Sequence, residues 1–503
     1  MKPVHVVPIL VAVFLAAGCL SPSNVNPKDA KDEAVAFAED WWQHAIPSSL
    51  TVEDHDHGNR SQHAGITTPN FHEIGWDPLE TSTFGTTLVG MGCGGAVTRE
   101  DGRRLAVVHS IATTVSFVVA DITIPQLPKM LGEFYLPNAV VWDADISADG
   151  NHVLIGAYPP GPLFGRDVTP PAAPWWALGH TNMVLYRDAC TGQVVETGPA
   201  NYLPGPAIVM VGIHDPANPK FEQYVLQPVI GPHSVGSQKI GDKVYATSSV
   251  TNLIHQGSYY TIFEVVPGVG GALLEPRWAF ETPGMATELN GHTDVFLQEH
   301  PLTHKLLAHL ANWDGYYVYD LSTPKPTQVG VWKDGDAGNV HTTYPLPSLR
   351  DGKQYVLVGQ EVGEPKDLPS GYVYILDITD PAKPTEVGRW TLPIKPKWDD
   401  GGLQFSPHYV SVLGNTMFVA NYHGGLWAVD ITDMTKPEAI GIFVPDRESP
   451  KAYGNGHYGP SIEDVVVDET TGLITTWDNS GGVYQLHFDA TIAAPHAPAW
   501  ASA

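Results

Sequence analysis

One phrase recurs along most of the chain and limits the folds that the chain can adopt. Each copy has an apolar strand, a turn, a second strand ending in Asp, and a short tail of Ile or Leu, Thr or Ser, and then proline. The tails begin at Asp121, Asp320, Asp377 and Asp430. Carboxylate and hydroxyl oxygens in such a tail bond the amides of their own turn, and proline fixes φ. A repeated strand–turn unit predicts a repeat fold instead of several unrelated domains.

Sets of short strands containing this phrase follow one another through the chain. The sets are 88–136, 139–228, 230–283, 290–333, 339–393, 404–445 and 459–489. The second is longer because of an insertion around 159–180, and the last ends without the tail. Four strands in every ~40–50 residues are typical of a β-propeller blade. The sequence therefore predicts an all-β fold, a seven-bladed β-propeller spanning 88–490, with six or eight blades as alternatives.

Composition limits the partners. The formal net charge is −27 at pH 7, which argues against nucleic acid and anionic lipid surfaces, because both require a basic face. Hydrophobic residues make up 43% of the chain and charged residues only 16%, enough for a sizeable buried core.

The N-terminal 19 residues have the features of a targeting segment. Val6 to Ala17 is apolar apart from Pro8, too short for the ~20 residues that span a bilayer, and Ala-Ala-Gly leads to Cys19. We expect a lipoprotein signal peptide (1–19) with lipidation of Cys19, or else an ordinary signal peptide. The protein would then be exported and held in the cell envelope on the outer side of a membrane, touching it only through the lipid.

Residues 20–87 predict a linker, a short helix and a histidine-rich loop before the propeller, and 491–503 a C-terminal tail. Val35, Ala38, Trp42 and Ala45 lie at helical spacing. The loop histidines His55, His57 and His63 predict a possible second metal site, with a solvated loop as the alternative.

Ligand-type side chains recur at the start of the first strand of each predicted blade. They are Cys93, Asp143 or Asp145, His233, His292, His341, His408, and Glu463 or Asp464. The innermost strands of a propeller surround its central channel, so these positions are expected to meet at one mouth. Cys, His and carboxylate ligands together suit a transition metal, copper or zinc. A ring of hydrogen bonds between blades is the alternative.

The turns between the second and third strands should open at the same mouth. They carry His423, Asp314, Asp478 and Glu361, and we expect these side chains to form the rim of the site.

The repeats resemble those of the LVIVD-repeat proteins, as in "GYVYILDITDPAKPTEVG" and "GGLWAVDITDMTKPEAIG". That resemblance implies a β-propeller lipoprotein and says little about activity. A more distant resemblance links "LLAHLANWDGYYVYDLSTPKP" to the selenium-binding protein and methanethiol oxidase family. It implies copper bound by some of the strand-start histidines and a small thiol as substrate.

Three functions remain open from the sequence. The first is a non-enzymatic surface module that binds a metal ion, a small molecule or a surface protein at the mouth of its channel. The second is a copper-dependent oxidoreductase of the methanethiol oxidase type. The third is a purely structural or protein-interaction scaffold, in which the histidines connect neighbouring blades.

Overall fold

The computed structural model describes most of the chain from residue 67 onward. The described ranges are 67–79, 91–110, 116–136, 139–158, 184–188, 194–197, 206–227, 232–252, 257–268, 271–283, 294–312, 314–333, 340–361, 371–392, 406–445, 461–478 and 482–492. Cys19, the predicted N-terminal helix, the loop histidines His55, His57 and His63, and His292 lie outside these ranges. Within these ranges no helix could span a membrane.

The described strands form seven blades, as the sequence predicts, and neighbouring strands are antiparallel except for one pair in blade two. Strand β1 (Phe71–Asp77) precedes them. Blade one contains β2 (Met91–Thr98), β3 (Arg104–Ser110), β4 (Phe117–Asp121) and β5 (Lys129–Phe134). Blade two contains β6 (Val140–Ile146), β7 (His152–Tyr158), β8 (Val184–Asp188), β9 (Val194–Thr197), β10 (Ala207–Gly212) and β11 (Lys220–Leu226). Blade three contains β12 (Pro232–Ile240), β13 (Lys243–Asn252), β14 (Gly257–Gly268) and β15 (Gly271–Pro283).

The remaining blades follow the same pattern. Blade four contains β16 (Val295–Glu299), β17 (Leu306–Asn312), β18 (Gly315–Asp320) and β19 (Thr327–Trp332). Blade five contains β20 (Val340–Pro345), β21 (Tyr355–Gln360), β22 (Val373–Asp377) and β23 (Thr385–Trp390). Blade six contains β24 (Val410–Leu413), β25 (Thr416–Ala420), β26 (Leu426–Asp430) and β27 (Glu438–Phe443). Blade seven contains β28 (Ile462–Asp468), β29 (Leu473–Asp478) and β30 (Gly482–Phe488), and β1 is its outermost strand.

Blade two is extended by a hairpin. Its sheet order is β6-β7-β10-β11-β8-β9, and β8 pairs with β11 in parallel. The long second unit of the sequence therefore adds two outer strands to an ordinary blade.

The ring is closed by the N-terminal strand. Each inner strand contacts the inner strands of its neighbours, and β2 of blade one contacts β28 of blade seven. Strand β1 pairs along β30, from Phe71 opposite Phe488 to Asp77 opposite Val483. The sequence analysis did not assign a strand to residues 71–77. Because β1 pairs along β30, blade seven has no free outer edge at β30.

The core lies between the blades. Seven clusters of buried apolar side chains each join residues of two neighbouring blades. In the cluster between blades seven and one, for example, Trp477 packs with Ala106 and Val118, and all three are fully buried. Since every blade supplies two of these interfaces, the blades stabilise one another around the ring.

The recurrent tails form the expected turns. In each tail the aspartate side chain accepts a hydrogen bond from the backbone amide of the residue two positions further on. Asp121 accepts from Thr123 at 2.8 Å, and Asp377 accepts from Thr379 at 3.0 Å. Asp430 accepts from Thr432 in the same way at 2.8 Å. The phrase therefore encodes the link between the third and fourth strands of a blade.

Candidate metal centre at the mouth of the channel

A β-bulge near the start of the inner strand decides where the predicted ligands point. In β12, β20 and β28 the register shifts at His233, His341 and Glu463 respectively. In blade six, His408 and Tyr409 both bond Ala420, so two residues again face one. A bulge re-aims side chains, and two adjacent residues then leave the strand in different directions.

The residues that follow the bulges line the central channel. The channel holds a cavity of about 340 Å³, and its lining includes Asp143, Asp294, Tyr409, Asp464 and the predicted ligand Cys93. His233, His341, His408 and Glu463 are not among the described lining residues. The structure thus divides the predicted ring into a set facing the channel and a set between the blades.

The side chains of the channel set are acidic and buried. Burial raises the pKa of Asp143 to about 7 and that of Asp294 to about 6. Burial, together with the negative charge of neighbouring aspartates, raises the pKa of Asp145 and Asp464 well above the ordinary value. Burial and the charge of Asp143 likewise raise the pKa of the Cys93 thiol. A thiol held protonated is a poor metal ligand, because binding requires the thiolate.

Two of these aspartates also connect blades. Asp143 and Asp145 on β6 accept the amide hydrogens of Val235 and Ser237 on β12, at 2.8 and 3.0 Å. Asp145 also accepts from its neighbour Ile146 at 2.7 Å. The predicted ligand Asp145 is therefore held as a link between blades two and three.

A cluster of ligand-type side chains, His341, Glu361 and His408, forms between blades five and six and is called the channel-mouth site below. His341 at the start of β20, Glu361 after β21 and His408 before β24 each place one donor atom within 4.8 Å of the other two. Nε2 of His341 lies 3.8 Å from Oε2 of Glu361, and the imidazole rings of His341 and His408 have centroids 4.6 Å apart. All three side chains are buried, with exposed fractions of 2%, 8% and 6% for His341, Glu361 and His408.

The surroundings orient two members of the cluster. The Nδ1–H of His408 donates to the backbone carbonyl of Glu463 at 2.7 Å, which leaves Nε2 as the basic nitrogen. Such a carbonyl partner is typical of metal-binding histidines, because it fixes the tautomer and the ring orientation. The hydroxyl of Tyr422 donates to Oε1 of Glu361. Tyr422 has φ of 48°, a left-handed backbone that its turn imposes and that is uncommon for a bulky residue.

The other predicted residues have separate roles. His233 accepts a hydrogen bond at Nε2 from the indole of Trp142, at 2.6 Å, and so joins blades three and two. Glu463 lies beside His408, with Oε2 4.0 Å from Nδ1. The structure therefore brings His341, His408 and Glu463 together and leaves His233 and Asp145 apart from them.

The rim residues lie in the turns between second and third strands. His423 is buried in the turn that contains Tyr422. Asp314 accepts hydrogen bonds from Tyr317 and Lys333 of its own blade. Asp478 accepts one from Tyr484 at 3.0 Å. The sequence analysis missed Tyr422, although its place in the "NYHGG" turn, one residue before His423, was a usable signal.

Comparison with known proteins gives one family. The LVIVD repeat matches residues 370–391 and 408–444, which contain the outer two strands of blade five and all of blade six. No curated protein matches the chain significantly. The resemblance to the selenium-binding protein and methanethiol oxidase family therefore stays a prediction. The chain is therefore a seven-bladed β-propeller that contains LVIVD repeats in blades five and six.

Proposed function

We propose that this propeller is an exported metal-binding protein that holds a zinc or copper ion with His341, Glu361 and His408. The observation that carries the proposal is the convergence of these three buried donors within 4.8 Å. Two imidazoles and one carboxylate are a ligand set that suits zinc and copper.

The remaining contacts support the same assignment. The carbonyl of Glu463 holds His408 in the tautomer that exposes Nε2, and Tyr422 holds one oxygen of Glu361, leaving the other 3.8 Å from His341. His408 and Glu361 are therefore each positioned by a hydrogen bond with another residue. Such positioning reduces the ordering that an ion would otherwise impose.

Three protein ligands leave one coordination position for a water molecule, a small ligand or a partner side chain. Structural zinc sites usually have four protein ligands, whereas sites with three bind exchangeable ligands. The channel-mouth site therefore favours a binding module, and it could also serve the oxidoreductase alternative. Uptake of oxygen in the presence of small thiols distinguishes these two functions.

Metal titration tests the proposal. Protein purified without a histidine tag is stripped with chelator and titrated with zinc and with copper, using a chromophoric competitor. His341→Gln and His408→Gln should each weaken binding more than about 100-fold, since even outer partners of metal ligands contribute 10–100-fold. His304→Gln is the control, because that side chain is exposed and pairs with the exposed Glu299 at 3.3 Å. Equal affinity of wild type and both channel-mouth variants would refute the proposal.

The proposed location rests on the N-terminal segment. Lipidation at Cys19 would hold the propeller outside the membrane, and one acyl chain alone gives only marginal attachment, so firm anchoring needs two or more. In its own cell envelope the wild type should sediment with membranes, and Cys19→Ser should be released or fail to mature. Full recovery of the wild type in the soluble fraction would exclude the anchor.

A further inference from the structure

We propose that blade two carries a second metal site, formed by His152, His214 and Glu222, which binds zinc where β7, β10 and β11 meet at one end of the blade. His152 begins β7, His214 follows β10 and Glu222 lies in β11. Their donor atoms all lie within 4.8 Å of one another. None of the three belongs to the channel or to the cluster between blades five and six.

The distances between the donor atoms are close to those around a bound zinc ion. Nε2 of His152 lies 3.4 Å from Oε2 of Glu222, and Nε2 of His214 lies 3.8 Å from Oε1. Ligand atoms around a tetrahedral zinc are about 3.3–3.6 Å apart, given bonds of ~2.0–2.2 Å. Small side-chain movements would therefore suffice, and His214 can make them because 62% of its side chain is exposed.

Comparison with the other blades shows that this cluster is peculiar to blade two. The third strand of blade five ends at Asp377, and Thr379 follows in the turn. At the equivalent positions blade two has Gly212 and His214. The residue opposite Gly212 is His152, and the residue opposite Asp377 is Tyr355. The bulged residue of the fourth strand is Glu222 in blade two, whereas it is Arg277 in blade three and an apolar residue, Leu131, Val329, Val387 or Ile440, in four other blades. Blade two thus departs from the repeat at four positions that meet in space.

The glycine makes room for the carboxylate. A Cβ atom at Gly212 would lie 2.3 Å from Oε1 of Glu222, and one at Gly271 would lie 3.0 Å from the same oxygen. The aspartate that stabilises the turn in blades one, four, five and six could not be present together with Glu222 in this position. The exchange of Asp for Gly removes a turn hydrogen bond and admits a third ligand.

The burial and hydrogen bonding of His152 are those expected of a metal ligand. Only 4% of the residue is exposed to solvent, and neither ring nitrogen makes a hydrogen bond of ordinary length and angle within the described structure. A buried polar group without such a bond is costly, and a metal bond at Nε2 would offset that cost. Oδ1 of Asp149 lies 3.8 Å from Nδ1 on the opposite side of the ring. A carboxylate at that side is a typical outer partner of a zinc-bound histidine.

Zinc binding is tested in the background of His408→Gln, which removes the proposed channel-mouth ligand. In this background His214→Ala and Glu222→Gln should each lose one equivalent of zinc, or bind it more than about 100-fold more weakly. His214 is exposed, so its replacement leaves the fold intact, and His304→Ala serves as the surface control. Zinc should also raise the melting temperature of the His408→Gln protein and not that of the double variants.

The outcomes separate the two sites. If His214→Ala and Glu222→Gln keep the zinc stoichiometry and affinity of their parent, the blade-two site is overturned. If they lose one equivalent while His408→Gln binds as the wild type does, the blade-two site stands and the channel-mouth site fails.

Discussion

Replacing Asp294 with asparagine should make the protein more stable at neutral pH and remove part of the pH dependence of its stability. Asp294 lines the channel and bonds the amide of Val295 at 2.8 Å and the hydroxyl of Thr342 at 3.3 Å. Burial nevertheless outweighs these bonds and raises its pKa from 3.8 to about 6. Asparagine has nearly the same shape; its oxygen can accept from the amide of Val295, and its NH2 group can donate to the Thr342 hydroxyl, which accepts as well as donates.

The sign and size follow from that pKa. Because the native state binds the proton more tightly than the unfolded chain, the stabilisation is complete below pH 3.8 and is lost as the pH rises through about 6. A shift of about two units, at 1.36 kcal/mol each, corresponds to about 3 kcal/mol. The difference in unfolding free energy between Asp294→Asn and wild type should therefore increase in favour of the variant by about 2 kcal/mol between pH 4, where the carboxyl of the unfolded chain is already more than half ionised, and pH 7.5.

Urea unfolding followed by tryptophan fluorescence measures this difference. The buffers should contain chelator, since a cation bound in the channel would hold the carboxylate ionised. Asp351→Asn, on an exposed turn, is the control for loss of a surface charge. A difference between Asp294→Asn and wild type that is flat with pH, or that falls as the pH rises, would refute the electrostatic reasoning.

Three further substitutions test contacts within and between the blades of the propeller, each by urea unfolding. Phe71→Ala should lower the free energy of unfolding by about 3–5 kcal/mol, because Phe71 is only 4% exposed and its phenyl ring packs on Phe418 and Phe488. The control His72→Ala, at an exposed position of the same strand, should change it by less than about 0.5 kcal/mol. Trp142→Phe removes the donor to His233 and should cost about 1–3 kcal/mol. Gly95→Ala should cost about 1–3 kcal/mol, because its Cβ would lie 2.1 Å from Oδ1 of Asp145. Unchanged midpoints would contradict the respective contacts.

The blades could be predicted because their turns are encoded locally. The aspartate and threonine of each tail bond within the turn itself, so the pattern is readable without knowledge of distant contacts. Strand β1 was missed because it joins blade seven from the other end of the chain. The signal was present nevertheless, since the last unit lacks the tail and supplies only three strands to a sheet of four.

The candidate site was only partly predictable, because the bulges are not visible in the sequence. Residues at one sequence position of each repeat were expected to converge, yet the bulge sends Asp464 into the channel and places its neighbour Glu463 beside His408. Which residue is bulged depends on hydrogen bonding to the next strand. The blade-two cluster, in contrast, could have been found by aligning the repeats, since Gly212 and His214 stand where other blades have Asp and Thr.

The most direct test of the channel-mouth site is an anomalous difference map from crystals grown with zinc, collected at the zinc absorption edge. The account predicts a peak between blades five and six, about 2.0–2.2 Å from nitrogens of His341 and His408 and from an oxygen of Glu361. The same map should lack this peak in crystals of His408→Gln. A peak among the channel aspartates Asp143, Asp294 and Asp464 instead, or no peak at His341 at saturating zinc, would contradict the central claim.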